Sequence, residues 1–264
     1  MKEGKPKYES PRVLSNSGPG TQFKMLQDLV NKRSFRLCLS VFASDPSKLG
    51  DKLEIARRLK PNLVELRLDY LRRIDERTMQ EIRRMAGASM ILTLRSSEEG
   101  GKSSLEEGER VSLMKRMASF PRCYIDVEMR TLAENPDLEG KFGSRRLIAS
   151  YHDFSKTPSE RKLHNLIESA PKGESVYAIK IVCKANSFED NRRVLSLYEE
   201  KMFRGSSKIK LFAFCLGEYG IYSRLASLYC GAPFAYTSLP EEETAPGQLD
   251  IGKMRTILGL SRRS

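Results

Sequence analysis

From Arg36 onward the chain alternates a short, β-prone apolar run with a longer stretch whose apolar residues recur near helical spacing, and it does so eight times. Arg36 to Ala43 (RLCLSVFA) reads as a strand, and the following SKLGDKLEIARRL reads as an amphipathic helix. The pairing recurs as strand 63–69 with helix 76–86, strand 90–95 with helix 105–118, and strand 123–128 with a short irregular helix over 131–141. Strand 146–152 with helix 159–169, strand 176–182 with helix 188–201, strand 208–216 with helix 220–230, and strand 233–238 with helix 249–259 complete the series. Buried strands alternating with one-faced helices bury their apolar surface together as a helix-covered parallel sheet. Eight such units in about 250 residues favour closure into a barrel over an open doubly wound sheet. The expected fold is an α/β, eight-stranded parallel (β/α) barrel, a TIM barrel, forming a single domain over 35–264. No GxGxxG follows the first strand, which counts against a dinucleotide-binding domain.

Side chains alternate faces along a strand, so each strand of a barrel offers one set to the interior and one to the helices. In 63–69 one face carries Glu65, Arg67 and Asp69; in 91–95 it carries Thr93 and Arg95; in 124–128, Asp126 and Glu128; in 148–152, Ser150 and His152. Each polar set lies toward the C-terminal end of its strand, where barrel active sites are built. The run Val176-Tyr177-Ala178-Ile179-Lys180-Ile181-Val182 adds a lysine inside a segment apolar on both faces. By alternation Val176, Ala178, Lys180 and Val182 share one side, and Tyr177, Ile179 and Ile181 the other. At an edge such a lysine would snorkel to water; in a covered strand desolvation favours its neutral, nucleophilic amine. The expected mouth is lined by Glu65, Arg67, Arg95, Asp126, Glu128, His152 and Lys180, with Asp69, Asp126 and Glu128 read as members of a buried ion-pair network.

Composition narrows the classes further. The net charge of +12 admits nucleic acid, a membrane surface or anionic metabolites as partners, but no RNP, zinc-finger or GxxG signature organises it. With two histidines, no HxxxH and no Cys/His cluster, no metal site is expected. The five cysteines are far apart, without a CxxC pair, and read as reduced, buried thiols. No apolar run approaches the roughly 20 residues that span a bilayer. A cytoplasmic protein is expected. Residues 1–34 are basic and rich in Ser, Gly and Pro, and read as a disordered leader; Glu3 and Glu9 argue against a transit peptide, and Met25 is an alternative start.

A lysine at one strand end and a histidine on the neighbouring strand suit Schiff-base chemistry on a ketone. Nearby arginines would keep the amine from protonating; once the iminium forms it acidifies the adjacent C–H, which a histidine can deprotonate. A class I aldolase and a Schiff-base dehydratase both fit. The segments VELRLDY (64–70), ILTLRSSEEGG (91–101), YIDVE (124–128), ASYHDFSKTP (149–158), AIKI (178–181), LGEYGIYSRLAS (216–227) and TAPGQ (244–248) then narrow the choice. Together they resemble the type I 3-dehydroquinate dehydratases over about 36–258. The resemblance implies conversion of 3-dehydroquinate to 3-dehydroshikimate plus water in the shikimate route to aromatic compounds, with no cofactor and a homodimeric assembly.

Residue by residue, it implies Lys180 as the Schiff-base lysine, His152 as general acid/base, and Glu99 as the carboxylate that orients the imidazole. Glu65, Arg67 and Arg95 fall on the family's hydroxyl-binding positions, and Arg224, Thr244 and Gln248 on its carboxylate-binding group, with backbone amides near Ala245. Phe214, Leu216 and Tyr236 depart from the common pattern, and Thr244 stands where serine is more frequent, which bears on substrate affinity. His164 reads as a helix-surface residue, and Gly100-Gly101 as shaping the loop that carries Glu99. The competing readings are a class I aldolase of a phosphorylated sugar and a non-catalytic, basic RNA-binding or scaffold protein.

Overall fold

The structure, a computed structural model, describes residues 35–260 apart from 88, 121–122 and 204–207. The leader expected over 1–34 lies outside the described residues. The strands are β1 Leu37–Phe42, β2 Leu63–Arg67, β3 Met90–Thr93, β4 Tyr124–Glu128, β5 Leu147–Asp153, β6 Val176–Lys184, β7 Lys210–Leu216 and β8 Ala235–Thr237. They form one parallel sheet in the order β7-β6-β5-β4-β3-β2-β1-β8, with helices between successive strands. Each strand lies beside its successor until β8 returns to pair with β1, Leu37 to Leu39 against Ala235 to Thr237. This is the (β/α)8 barrel. Among the described residues no ladder joins β7 to β8; rings bridge that seam instead, Phe212 meeting Tyr236 at 5.8 Å and Phe214 meeting it at 6.4 Å.

Local sequence sets the helix boundaries. Asp45, Asp75, Ser159 and Asp250 each cap a helix by accepting from backbone N–H groups of its first turn. The irregular helix expected over 131–141 is two pieces, Met129–Glu134 and Pro136–Glu139, because Pro136 lacks an N–H and drives Asn135 out of helical conformation (φ −131°). The helix expected over 188–201 keeps α geometry only over Glu189–Leu195 and tightens to a 3₁₀ turn at Ser196–Glu199. The Tyr198 hydroxyl there accepts from Ala213 N at 3.0 Å, tying the turn to β7.

The barrel interior holds Cys38, Leu63, Ile91, Ile148, Ala178, Phe212 and Phe234, below the polar mouth. Outside it, Ile179, Ile181 and Cys183 pack with Leu163 and Ile167 of the helix Glu160–Ser169. The expected alternation fails at one point. A register shift between Leu147 and Ile148 pairs them with Val176 and Ala178, so Val176 packs outward while Tyr177 turns in against Tyr124, ring centroids 4.6 Å apart. One extra residue in a strand reverses parity before it, but not after. From Ala178 on the pattern is regular, and Lys180, on a strand flanked by β5 and β7, faces the interior.

Two smaller expectations are corrected. β2 ends at Arg67, and Asp69 sits in the 3₁₀ turn Leu68–Tyr70, with its carboxylate accepting from Arg67 Nε and Nη2 at 2.9 and 2.8 Å. Four cysteines are buried, but Cys230, the last residue of the helix Ile221–Cys230, is exposed. No helix among the described residues is long and apolar enough to cross a membrane.

Candidate active site

The nine residues that the resemblance places in the site (Glu65, Arg67, Arg95, Glu99, His152, Lys180, Arg224, Thr244 and Gln248) border one pocket at the C-terminal mouth of the barrel, whereas Asp126 and Glu128, also expected to line the mouth, lie behind its lining residues. Lys180 is its centre, 5% exposed, with Nζ 2.9 Å from Asp126 Oδ2. The other Asp126 oxygen accepts from Arg95 Nη2 at 2.7 Å and from the Ser150 hydroxyl at 2.6 Å, while Arg95 Nη1 donates to Ser150 at 2.7 Å. Burial alone would raise the Asp126 carboxyl, but the Arg95 and Lys180 cations and the Ser150 hydrogen bond hold it down to about 2. The direct neighbour of the Lys180 amine is a carboxylate.

Asp126 therefore belongs to the pocket's chemistry as well as to an ion-pair network, and Ser150, placed on the interior face by strand parity but given no role there, completes that network. Their interior parity was readable in the sequence; their partners, 54 and 24 residues from Asp126, were not. Glu128 does fit the network reading, since it accepts from Arg110 Nη1 and from Ser96 N, each at 2.8 Å.

His152 lies at the end of β5, and Glu99 reaches it from the 3₁₀ turn Ser97–Glu99 after β3. Glu99 Oε2 accepts from the His152 backbone N–H at 2.9 Å and lies 3.0 Å from Nδ1. The loop makes this reach by backbone means. Gly100 takes a left-handed conformation (φ +77°), and a Cβ on Gly101 would sit 2.2 Å from the Arg95 carbonyl oxygen. Burial, with the Arg95, Lys180 and Arg67 cations, pushes the imidazole well below its ordinary 6.5. Burial also pushes the Glu99 carboxyl up to about 8, with Arg95 opposing and Glu128 and Asp126 reinforcing. Neither group carries a charge cheaply by itself. A proton on the Nδ1–Oε2 line serves both, and Nε2 is the ring nitrogen left for other partners.

Around them, Glu65 accepts from the Ser40 hydroxyl at 2.6 Å and from the Thr93 hydroxyl at 2.8 Å. Ser40, Thr93 and Phe154 also border the pocket; strand parity places Thr93 on the interior polar face, and the sequence singles out neither Ser40 nor Phe154. On the opposite side, Arg224 projects from the helix Ile221–Cys230 with its guanidinium carbon 4.6 Å from the Phe214 ring centroid. It is 3% exposed, and its Nε and Nη2 have no hydrogen-bond partner among the described residues. Burial lowers it to about 10, with Glu243 opposing. Thr244 donates to Gln248 Oε1 from its backbone N at 2.8 Å and its hydroxyl at 2.7 Å, closing the loop beside it. Tyr236 borders the same pocket, with Lys180 Nζ 4.4 Å from its ring centroid. His164 is half-buried and pairs with Glu200, away from the pocket.

The family model for type I 3-dehydroquinase matches residues 37–264. The chain belongs to the type I 3-dehydroquinase family. As a member it is a hydro-lyase of the 3-dehydroquinate dehydratase type, an enzyme of aromatic biosynthesis, which sets aside the aldolase and basic-scaffold readings. It is similar to the 3-dehydroquinate dehydratase of Pyrococcus abyssi, 33% identical over 212 residues, covering 80% of this chain and 92% of that protein. It is also similar to the enzyme of Thermococcus gammatolerans, 37% identical over 198 residues, covering 75% and 86%. Among solved structures, the 3-dehydroquinate dehydratase of Geobacillus kaustophilus superposes with a TM-score of 0.73 at 27% identity, covering 86% of this chain and 91% of that one.

Proposed function

We propose that the dehydratase works through a Schiff base on Lys180, with His152 moving the protons and Glu99 orienting the imidazole. The observation that carries the reading is the buried lysine against Asp126, in one pocket with a histidine on the adjacent strand that Glu99 anchors. Nζ, once it has given up a proton, attacks the ketone carbon of 3-dehydroquinate; the carbinolamine loses water to leave an iminium. The iminium draws electrons from the neighbouring carbon, and His152 takes the acidified proton to give the enamine. The enamine then expels the β-hydroxyl, which leaves as water with a proton returned by His152. Hydrolysis of the conjugated iminium consumes one water and frees 3-dehydroshikimate and Lys180, so one water is lost overall.

Asp126 supports this sequence electrostatically. Held at about 2, it stays ionised throughout and faces the positive charge of the iminium once that forms. The unpartnered Nε and Nη2 of Arg224 suit the substrate carboxylate, which a guanidinium binds with two parallel hydrogen bonds. Thr244 and Gln248 close that end, and Glu65, Arg67 and Arg95 take the ring hydroxyls. The same reading carries a cytoplasmic homodimer that needs no metal or cofactor.

Borohydride added with 3-dehydroquinate tests the mechanism, because it reduces an imine to a stable secondary amine. A mass increment confined to the peptide containing Lys180 is the expected result. An adduct on Lys184, or turnover with no trappable adduct, would rule the reading out.

A further inference from the structure

The Tyr236 side chain is almost fully buried, at 4% exposure, and its hydroxyl has no hydrogen-bond partner among the described residues. Its ring does not need that hydroxyl to pack. It lies against Phe234, Phe212 and Phe214 at centroid distances of 5.3, 5.8 and 6.4 Å, an aromatic cluster that phenylalanine would complete equally well. A buried hydroxyl without a partner destabilises a fold, and native proteins leave few of them. The residue also borders the substrate pocket, and its ring faces the Lys180 amine at 4.4 Å. Glu65, Asp126 and Arg95 all act electrostatically on the phenol, which stays protonated because burial and the two carboxylates oppose its ionisation. A protonated phenol beside the reacting amine is a donor without an acceptor.

We propose that Tyr236 contacts the substrate directly, its hydroxyl donating a hydrogen bond to the oxygen on the carbon that Lys180 attacks. The inference rests on the Schiff-base reading above. In the ground state the donor polarises the ketone; as Nζ adds, the oxygen gains negative charge and the hydrogen bond strengthens, so it favours the addition over the bound ketone. No proton changes owner in this contact. The same oxygen then departs as water, and the phenol is ready for the next molecule. The ring face lies 4.4 Å from Nζ, so the phenol stands next to the attacking amine.

Tyr236→Phe removes only the hydroxyl and keeps the ring. We expect borohydride trapping of 3-dehydroquinate on Lys180 to slow about tenfold, because one hydrogen bond to the reacting oxygen is lost. The thermal midpoint should stay level or rise, since a buried unmatched group has gone. A trapping rate equal to that of the unsubstituted chain would overturn the inference, and so would a lower midpoint, which would show that the hydroxyl has a partner within the fold. If the unsubstituted chain gives no lysine adduct at all, the Schiff-base reading fails and this inference with it. An adduct in the unsubstituted chain formed no faster than in Tyr236→Phe overturns this inference alone.

Discussion

The two sides of the barrel mouth are built on opposite terms. On the β3–β6 side, Arg95, Asp126, Ser150 and the amine of Lys180 close a hydrogen-bonded network with all distances between 2.6 and 2.9 Å. On the β7–β8 side, the Arg224 guanidinium and the Tyr236 phenol are just as buried, yet both hold polar atoms without partners. A matched network stabilises its own geometry and leaves a reactive group in one place. An unmatched donor does the reverse: it costs the fold stability and gains only when something with acceptors arrives. The matched side is where the chemistry is held, and the unmatched side is where the substrate is to be recognised.

The largest effects should come from the matched side. Lys180→Ala is expected to abolish both turnover and the borohydride adduct. His152→Ala should instead leave the adduct trappable while turnover falls by about 10²–10⁴-fold, the usual worth of proton transfer by a placed side chain. Glu99→Ala should fall between the unsubstituted chain and His152→Ala, with the imidazole present but free to rotate. Mass spectrometry of trapped protein alongside steady-state assay separates these three. A His152→Ala chain that turns over normally would break the assignment of chemistry to this side.

Stability should divide the sides in the same way. Asp126→Ala takes from Lys180 its ion-pair partner and leaves Arg95 only the more distant Glu99 and Glu128, each at 3.7 Å, and breaking one partner of a buried ion pair typically costs about 3–5 kcal/mol. Its denaturation midpoint should drop sharply. Arg224→Ala removes a buried cation whose Nε and Nη2 have no partner, so its midpoint should hold or rise. In the assay the order is different: Arg224→Ala should raise KM by about ten- to a hundredfold, the worth of a charge-assisted bidentate contact of roughly 1.5–3 kcal/mol. A loss of stability with an unchanged KM would return Arg224 to a structural role.

The same contrast explains what could be read from the sequence. Strand parity put Glu65, Arg67, Arg95, His152 and Lys180 on the interior, because alternation is a local property of the backbone. Parity failed at Val176 and Tyr177, where a register shift against β5 reverses the faces, and no residue type in that segment announces an extra residue. Asp126 was legible as an interior carboxylate but not as the partner of Lys180, since that pairing depends on how neighbouring strands stagger across the barrel. Arg224 on its helix and the TAPGQ loop read as surface and turn from their own periodicity. Only the resemblance to a family brought them in. The burial of Arg224 and Gln248 beside the pocket follows from the closing of the β7–β8 seam, which no local pattern encodes.

The smallest effect, and the finest test of the matched side, is a displacement along the pH axis. Burial and the surrounding cations push His152 well below its ordinary value of 6.5, so the imidazole stays neutral in the native chain at pH values where it is protonated in the unfolded one. If His152 is the base, the acid limb of kcat/KM, which reports the free enzyme, should lie below pH 6.5. Stability carries the same sign: below 6.5 the unfolded chain binds a proton that the native chain does not, so His152 lowers stability as the pH falls through that value. Glu99 acts in the other direction, keeping its proton up to about 8 where the unfolded carboxyl loses it above 4.5, so its contribution falls as pH rises between those values. The protein has one other histidine, His164, paired with Glu200 away from the pocket. His164→Ala should therefore leave the acid limb where it is, with a change in stability of no more than about 0.5 kcal/mol, as for other substitutions near the surface. A limb at or above 6.5, or one that moves with His164→Ala, would mean that the titrating group is not the buried imidazole beside Lys180.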